Sequence, residues 1–181
     1  REMLDNQIKR RALHEPLAYI RGRQELYGRE FKVSPDTLTP RPETETMIEF
    51  ALDILRDNEL SSVSDIGTGS GCIIVTLMLE SKSKANFYGY DITKPAIDIA
   101  MQNANKLEAE VNFEIIDITK DKHTNWQDSE MIVANLPYVP TDFKINLAAS
   151  HEPEFAIFGG KDGLDYYRIL FSKLSPNTKF V

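Results

Sequence analysis

The chain has 181 residues, 41% hydrophobic and 27% charged, with a formal net charge of −7 and a pI near 5.0. That is an ordinary soluble globular mix, suited to one domain with a real core and room for a small appendage. It holds no run of about 18 apolar residues, so no membrane span is expected. The acidic balance opposes a dedicated nucleic-acid binder, which needs a basic stripe to displace counterions.

The most basic cluster, Lys9-Arg10-Arg11 with Arg21, Arg23 and Arg29 nearby, reads first as a solvated face. A lone Cys72 excludes an internal disulfide and fits a reducing, cytoplasmic location. The opening residues, Arg1 to Asn6, look nothing like a signal peptide. His14, His123 and His151 show no metal-ligand spacing, and no Gly-x-Ser-x-Gly elbow occurs.

In chain order, residues 3–13 read as a polar-rich helix ending before Pro16. Tyr19 to Val33 reads as a hairpin, with its turn at Gly28-Arg29. A proline-studded loop, Ser34 to Pro42, leads to a helix from Glu43 with Met47, Ile48, Ala51, Leu52 and Leu55 on its apolar face. Strands then alternate with helices: strand 62–66, helix 72–79, strand 87–90, helix 95–107, strand 111–116, strand 131–134 and helix 164–174. Lys179-Phe180-Val181 looks like a further strand beginning, and the chain starts without Met, so an excised piece is expected. This alternation predicts an α/β fold, a parallel sheet with helices on both faces, preceded by a short helix and a hairpin.

In such sheets ligands bind outside the carboxyl ends of the strands. Asp65-Ile66-Gly67-Thr68-Gly69-Ser70-Gly71 lies between the first strand and its helix. Its Gly-x-Gly-x-Gly spacing is one residue shorter than the dinucleotide fingerprint, which weakens a pyrophosphate reading. Asp91 ends the next strand, where a carboxylate accepts ribose hydroxyls. Asp117 follows the third, within reach of an adenine amino group. The tight loop and the acid Asp65 ahead of it suit a cationic sulfonium amino acid, S-adenosylmethionine. Asp117 and Asp121 also read as turn or helix caps. Cys72, at a helix start where the dipole lowers a thiol pKa, reads mainly as a small buried filler.

The fourth strand ends in Asn135-Leu136-Pro137-Tyr138. Taken alone, these residues suit a plain turn. Taken in strand order with the glycine loop and Asp91, they make the chain resemble Rossmann-like class I methyltransferases, whose signature there is Asn/Asp/Ser-Pro-Pro-Tyr/Phe. Further stretches narrow the resemblance: Glu15-Pro16-Leu17-Ala18-Tyr19-Ile20, Leu38-Thr39-Pro40-Arg41-Pro42-Glu43-Thr44-Glu45, Glu152-Pro153, and Gly159-Gly160-Lys161-Asp162-Gly163-Leu164-Asp165 with Tyr167-Arg168. All are similar to the release factor glutamine methyltransferase family, the HemK/PrmC enzymes. The matches run from about Glu15 to the end.

The resemblance implies a domain plan: residues 1–34 as the remnant of an N-terminal helical domain with a hairpin linker, and 35–181 as the methyltransferase domain, short of its last strands. It implies S-adenosylmethionine held by Asp65, Gly67, Thr68, Gly69, Gly71, Asp91, Asp117 and Asn135. It implies N5-methylation of a glutamine in the Gly-Gly-Gln loop of peptide chain release factors. By resemblance, the Asn135 side-chain oxygen and the Leu136 carbonyl each accept a hydrogen of the substrate amide. Pro137 stiffens the turn and Tyr138 offers a planar face. Leu136 departs from the family's usual Pro.

Arg41, Pro42, Glu43 and Glu45 read either as a capped helix start or as a lid over the substrate. Glu152 and Pro153 read as loop supports. Two other functions compete: amino-methylation of adenine or guanine in nucleic acid, opposed by the acidic balance, and a non-catalytic cofactor-binding fragment.

Overall fold

The computed structural model of the chain describes residues 2–120 and 125–181. Two helices open it, α1 (Glu2–Ala12) and α2 (Leu17–Arg21). α1 buries no side chain, in keeping with its polar sequence. α2 is a correction, because Tyr19 to Arg21 read as the start of the hairpin. Pro16 just before it and Gly22 just after it, the latter left-handed at φ 68°, frame a short helix instead.

The hairpin is β1 (Arg23–Leu26) and β2 (Arg29–Lys32), closed by the pair Leu26 and Arg29. Its turn is therefore Tyr27-Gly28, one residue earlier than the sequence suggested. Both turn residues sit at positive φ, 51° and 69°, the condition for the type I′ turn that suits strand twist. The Tyr27 N–H donates to Glu45 Oε1 at 2.8 Å, which ties the turn to the next helix.

That helix, α3 (Thr44–Asp57), precedes an alternating series: β3 (Ser62–Ile66), α4 (Cys72–Glu80), β4 (Asn86–Asp91), α5 (Lys94–Lys106), β5 (Val111–Ile115), β6 (Met131–Ala134) and α6 (Asp165–Ser172). The four strands form one parallel sheet in the order β5-β4-β3-β6. The expected parallel sheet of an α/β fold is present.

Residue parity sorts the core. Val63, Phe87, Met131 and Val133 face a cluster with Ile48 and Leu55 of α3, Ile74 and Leu77 of α4, and Ala104 of α5. Ile66, Tyr90 and Ile132 face a second cluster with Trp126 and Leu170 of α6. Both sheet faces are therefore covered, which removes apolar strand surface from water on each side. Leu26 and Phe31 of the hairpin belong to the larger cluster. Lys179 to Val181 contribute a single parallel bridge, Phe180 to Met131, beside β6. Among the described residues no helix is long and apolar enough to cross a membrane.

From β3 the chain steps through β4 to β5, then returns to the other side of β3 as β6. The strand order thus reverses between β3 and β6, and a crevice opens where their carboxyl ends diverge. Ile66 and Ala134 are register partners at that point, so Gly67 and Asn135 leave the sheet side by side.

Candidate active site

The glycine loop is closed by its own hydrogen bonds. The N–H groups of Gly67 and Thr68 both donate to the Tyr90 carbonyl, at 2.9 and 2.8 Å. The Gly71 N–H donates to Thr68 O at 2.8 Å, and the Gly69 N–H to Asp91 Oδ2 at 3.0 Å. Gly67, Gly69 and Gly71 all have positive φ, 75°, 54° and 77°, which explains three glycines in five residues. With four loop N–H groups engaged and Asp91 beside them, little is left to cradle a pyrophosphate.

Two carboxylates serve this loop differently. Asp91 takes the Gly69 N–H on one oxygen and the Thr93 N–H, at 3.1 Å, on the other. Burial holds its carboxyl above the usual range, against those donors. It lines the crevice. Asp65 is fully buried beneath the loop rather than on the crevice wall. The Thr68 hydroxyl donates to its Oδ2 at 2.7 Å, and Oδ1 has no hydrogen-bond partner among the described residues. Burial pushes its pKa up to about 7.

Asp117 also lines the crevice. Its Oδ1 accepts the N–H and hydroxyl of Thr119 at 2.9 and 2.6 Å, and these bonds with Lys120 lower its pKa to about 2. It is thus a turn cap, one of its two sequence readings, and it faces the crevice. Asp121 and His123 lie outside the described residues. Cys72 is buried, and burial pushes its thiol up to about 12, so it is a filler rather than a nucleophile.

Asn135 stands where two cavities meet. It lines the crevice with the glycine loop, and also a second cleft walled by Arg41, Glu43, Tyr138 and Glu152. The Asn135 amide makes no hydrogen bond among the described residues. Leu136 is buried, and its side chain packs over Gly67, where a Cβ would stand 3.1 Å from Leu136 Cδ2. Pro137 lines the first cavity and Tyr138, 61% exposed, the second.

The stretch that runs along the crevice lies one step earlier than the Arg41-to-Glu45 segment considered from sequence. Asp36 to Pro40 form a strap along the crevice wall, pinned by the Tyr19 hydroxyl, which donates to Thr37 O at 2.6 Å. Arg41 anchors the strap by donating to Glu152 Oε2 at 2.6 Å, and Thr39 N–H donates to Glu152 Oε1 at 3.3 Å. Glu43 is an exposed wall of the second cleft, and Pro42 is exposed outside both cavities. Glu45 serves the hairpin turn.

Sequence reasoning missed Asn103. It is fully buried on α5, accepts from Lys32 N–H at 2.7 Å, and donates to Lys32 O and Ser70 O at 3.0 and 2.8 Å. It thereby ties the hairpin to the glycine loop. The available signal was an amide on a helix face otherwise made of Ala96, Ile97, Ile99, Ala100 and Ala104.

A family model described as a methyltransferase domain matches residues 45–152, which span the strap's helix, the glycine loop, Asp91 and the Asn135 turn. The chain belongs to the methyltransferase domain family. This methyltransferase domain is 40% identical over 169 residues to a release factor glutamine methyltransferase of Bacillus cereus, covering 90% of this chain and 59% of that protein. It is 42% identical over 177 residues to the Koribacter versatilis protein of the same name, covering 96% and 61%. The chain thus spans about three-fifths of the length of these relatives. In fold it is similar to the catalytic domain of hMettl16, solved with the MAT2A 3′UTR hairpin 6, at TM-score 0.59 and 14% identity, covering 86% of this chain and 69% of that one.

Proposed function

We propose that this methyltransferase domain serves N5-methylation of glutamine in the Gly-Gly-Gln loop of peptide chain release factors, with S-adenosylmethionine as donor. The observation that carries the proposal is Asn135, an amide without a hydrogen-bond partner among the described residues, in the wall shared by two cavities. The names of the relatives, at 40% and 42% identity, point the same way. The domain division belongs to the same proposal: 35–181 as the catalytic unit, 1–34 as an N-terminal remnant whose hairpin shares the main core. A cytoplasmic site of action follows from a translation partner.

The crevice fits the donor. A Cβ on Gly69 would meet nothing closer than 4.0 Å, so that glycine leaves open space beside the loop. Among the described residues, neither the Ser70 hydroxyl, buried in the wall, nor that of Thr39 on the strap has a partner in hydrogen-bond geometry. Asp91 offers a carboxylate to ribose hydroxyls and Asp117 one to an amino group, while the acidic wall favours a cationic ligand. Gly67, Thr68, Gly69 and Gly71 shape the loop, and Asp65 holds it from beneath through Thr68. Bound there, S-adenosylmethionine supplies a methyl group on a positively charged sulfur.

The protein's task is to aim a poor nucleophile. An amide nitrogen spreads its lone pair into its carbonyl. The Asn135 side-chain oxygen accepts one N–H of the substrate amide and the Leu136 carbonyl the other. These two acceptors orient the nitrogen and favour the positive charge that would grow on it as the N–C bond forms and the S–C bond breaks, its electron pair staying on sulfur. Aligned proximity of this kind lowers a barrier by roughly 7–11 kcal/mol. The methylated nitrogen is acidic and sheds its proton to water, so no strong base is needed. Pro137 stiffens the turn, and Tyr138 gives the second cleft a flat apolar face. Arg41 and Glu43 form the cleft's outer wall, with Pro42 supporting the strap.

Incubation with radiolabelled donor and either release factor or nucleic acid tests this. Label in the release factor glutamine is the expected result. Label in adenine or guanine, or in neither acceptor, overturns it.

A further inference from the structure

The Leu136 carbonyl already has a partner. The Tyr167 hydroxyl of α6 donates to it at 3.2 Å. The surrounding segment closes on the rest of the turn. A Cβ on Gly159 would stand 2.3 Å from the Pro137 carbonyl oxygen, and one on Gly163 2.1 Å from that of Tyr138. Val139 N–H donates to Ile157 O at 3.0 Å, and Gly159 N–H to Val139 O at 2.9 Å. The glycines are thus explained by close backbone approach, and a side chain, Tyr167, bonds the turn.

A carbonyl oxygen carries two lone pairs. Tyr167 occupies one and leaves the other for a substrate N–H. A proline at 136 would fix φ by its ring, whereas leucine leaves that torsion free. We propose that Tyr167 is a positioning residue for methyl transfer, its hydroxyl fixing the Leu136 carbonyl as an acceptor for the substrate amide. This rests on the methyl-transfer reading above.

Tyr167→Phe removes one oxygen and keeps the ring packed against the second core cluster. A hydroxyl bond at 3.2 Å is at the weak end of the range. Single-turnover transfer to release factor should therefore fall about five- to tenfold, with the donor dissociation constant and the thermal midpoint unchanged. A carbon-13 and oxygen-18 label at the Leu136 carbonyl should show its infrared stretch moving up in the variant. In a Leu136→Pro background the rate loss on Tyr167→Phe should shrink, because the ring then supplies the restraint. An unchanged rate in Tyr167→Phe, beside a large loss in Asn135→Ala, overturns this proposal and leaves the methyl-transfer reading standing. Absence of transfer by the wild type removes both.

Discussion

Arg41 and Glu152 lie 111 positions apart in sequence and 2.6 Å apart in space. The pair fastens the strap to the loop after the Asn135 turn. Its two ends differ, because the Glu152 side chain is 1% exposed and that of Arg41 46%. Water therefore weakens the attraction at the Arg41 end, while the carboxylate bears the desolvation. Arg41→Ala should destabilise the protein by about 1–3 kcal/mol, the scale for leaving a buried polar group short of a partner. Adding Glu152→Gln should recover part of that loss, because the lone charge is then gone. Urea melts of the single and double variants check this, and strictly additive losses would contradict it.

Asp91 does two jobs, and its removal should show both. It braces the glycine loop through Gly69 and faces the crevice. Asp91→Ala should weaken S-adenosylmethionine by about 1.5–3 kcal/mol, the scale for bonds to a charged acceptor. Titration calorimetry with unchanged affinity would remove Asp91 from the donor site.

Asp65 should make stability fall as pH rises. Its pKa is raised by burial to about 7 in the fold from an ordinary value of 3.8. The folded state therefore holds the proton more tightly than the unfolded one. Its favourable contribution is complete below about pH 4 and is lost as pH climbs through about 7. Asp65→Asn abolishes that titration. The thermal midpoint of the variant minus that of the wild type should increase from pH 4 to pH 8. A difference that stays flat across that range would show that Asp65 does not titrate there.

Leu136→Pro separates backbone from side chain. The Leu136 N–H makes no hydrogen bond among the described residues, so a proline costs none there. The side chain is 5% exposed, in the second core cluster, and its loss leaves a gap over Gly67. The variant should lose about 1–3 kcal/mol of stability and keep methyl transfer within about tenfold of the wild type. Denaturant melts and single-turnover rates check both parts. Collapse of transfer in a well-folded variant would assign a role to the N–H or the backbone angle.

The parts of the fold and site that were legible in sequence are local. The strand at Ser62 to Ile66, the glycine loop after it, Asp91 at the next strand end and the Asn135 turn each announce themselves within a few residues. The parts that were not legible depend on tertiary partners. Nothing near Tyr167 signals that its hydroxyl meets Leu136, 31 residues earlier. Nothing near Asn103 signals Lys32, 71 residues away. The hairpin turn was misplaced by one residue because Gly28 was taken as the first turn position, whereas Tyr27 bears a positive φ with Glu45 on its N–H. The short α2 was missed because five residues give too little periodicity to read.

The central claim is that the Asn135 amide holds the substrate nitrogen. Its most direct test is single-turnover methyl transfer to release factor by Asn135→Ala, run beside donor calorimetry and a thermal melt. Losing one preorganised acceptor should cost about 3 kcal/mol, or about a hundredfold in rate. Donor affinity and melting temperature should stay close to wild type, because the substitution leaves the proposed donor site at Gly67 to Gly71 and Asp91 untouched. Near-normal transfer by Asn135→Ala would contradict the account and leave Asn135-Leu136-Pro137-Tyr138 an ordinary turn.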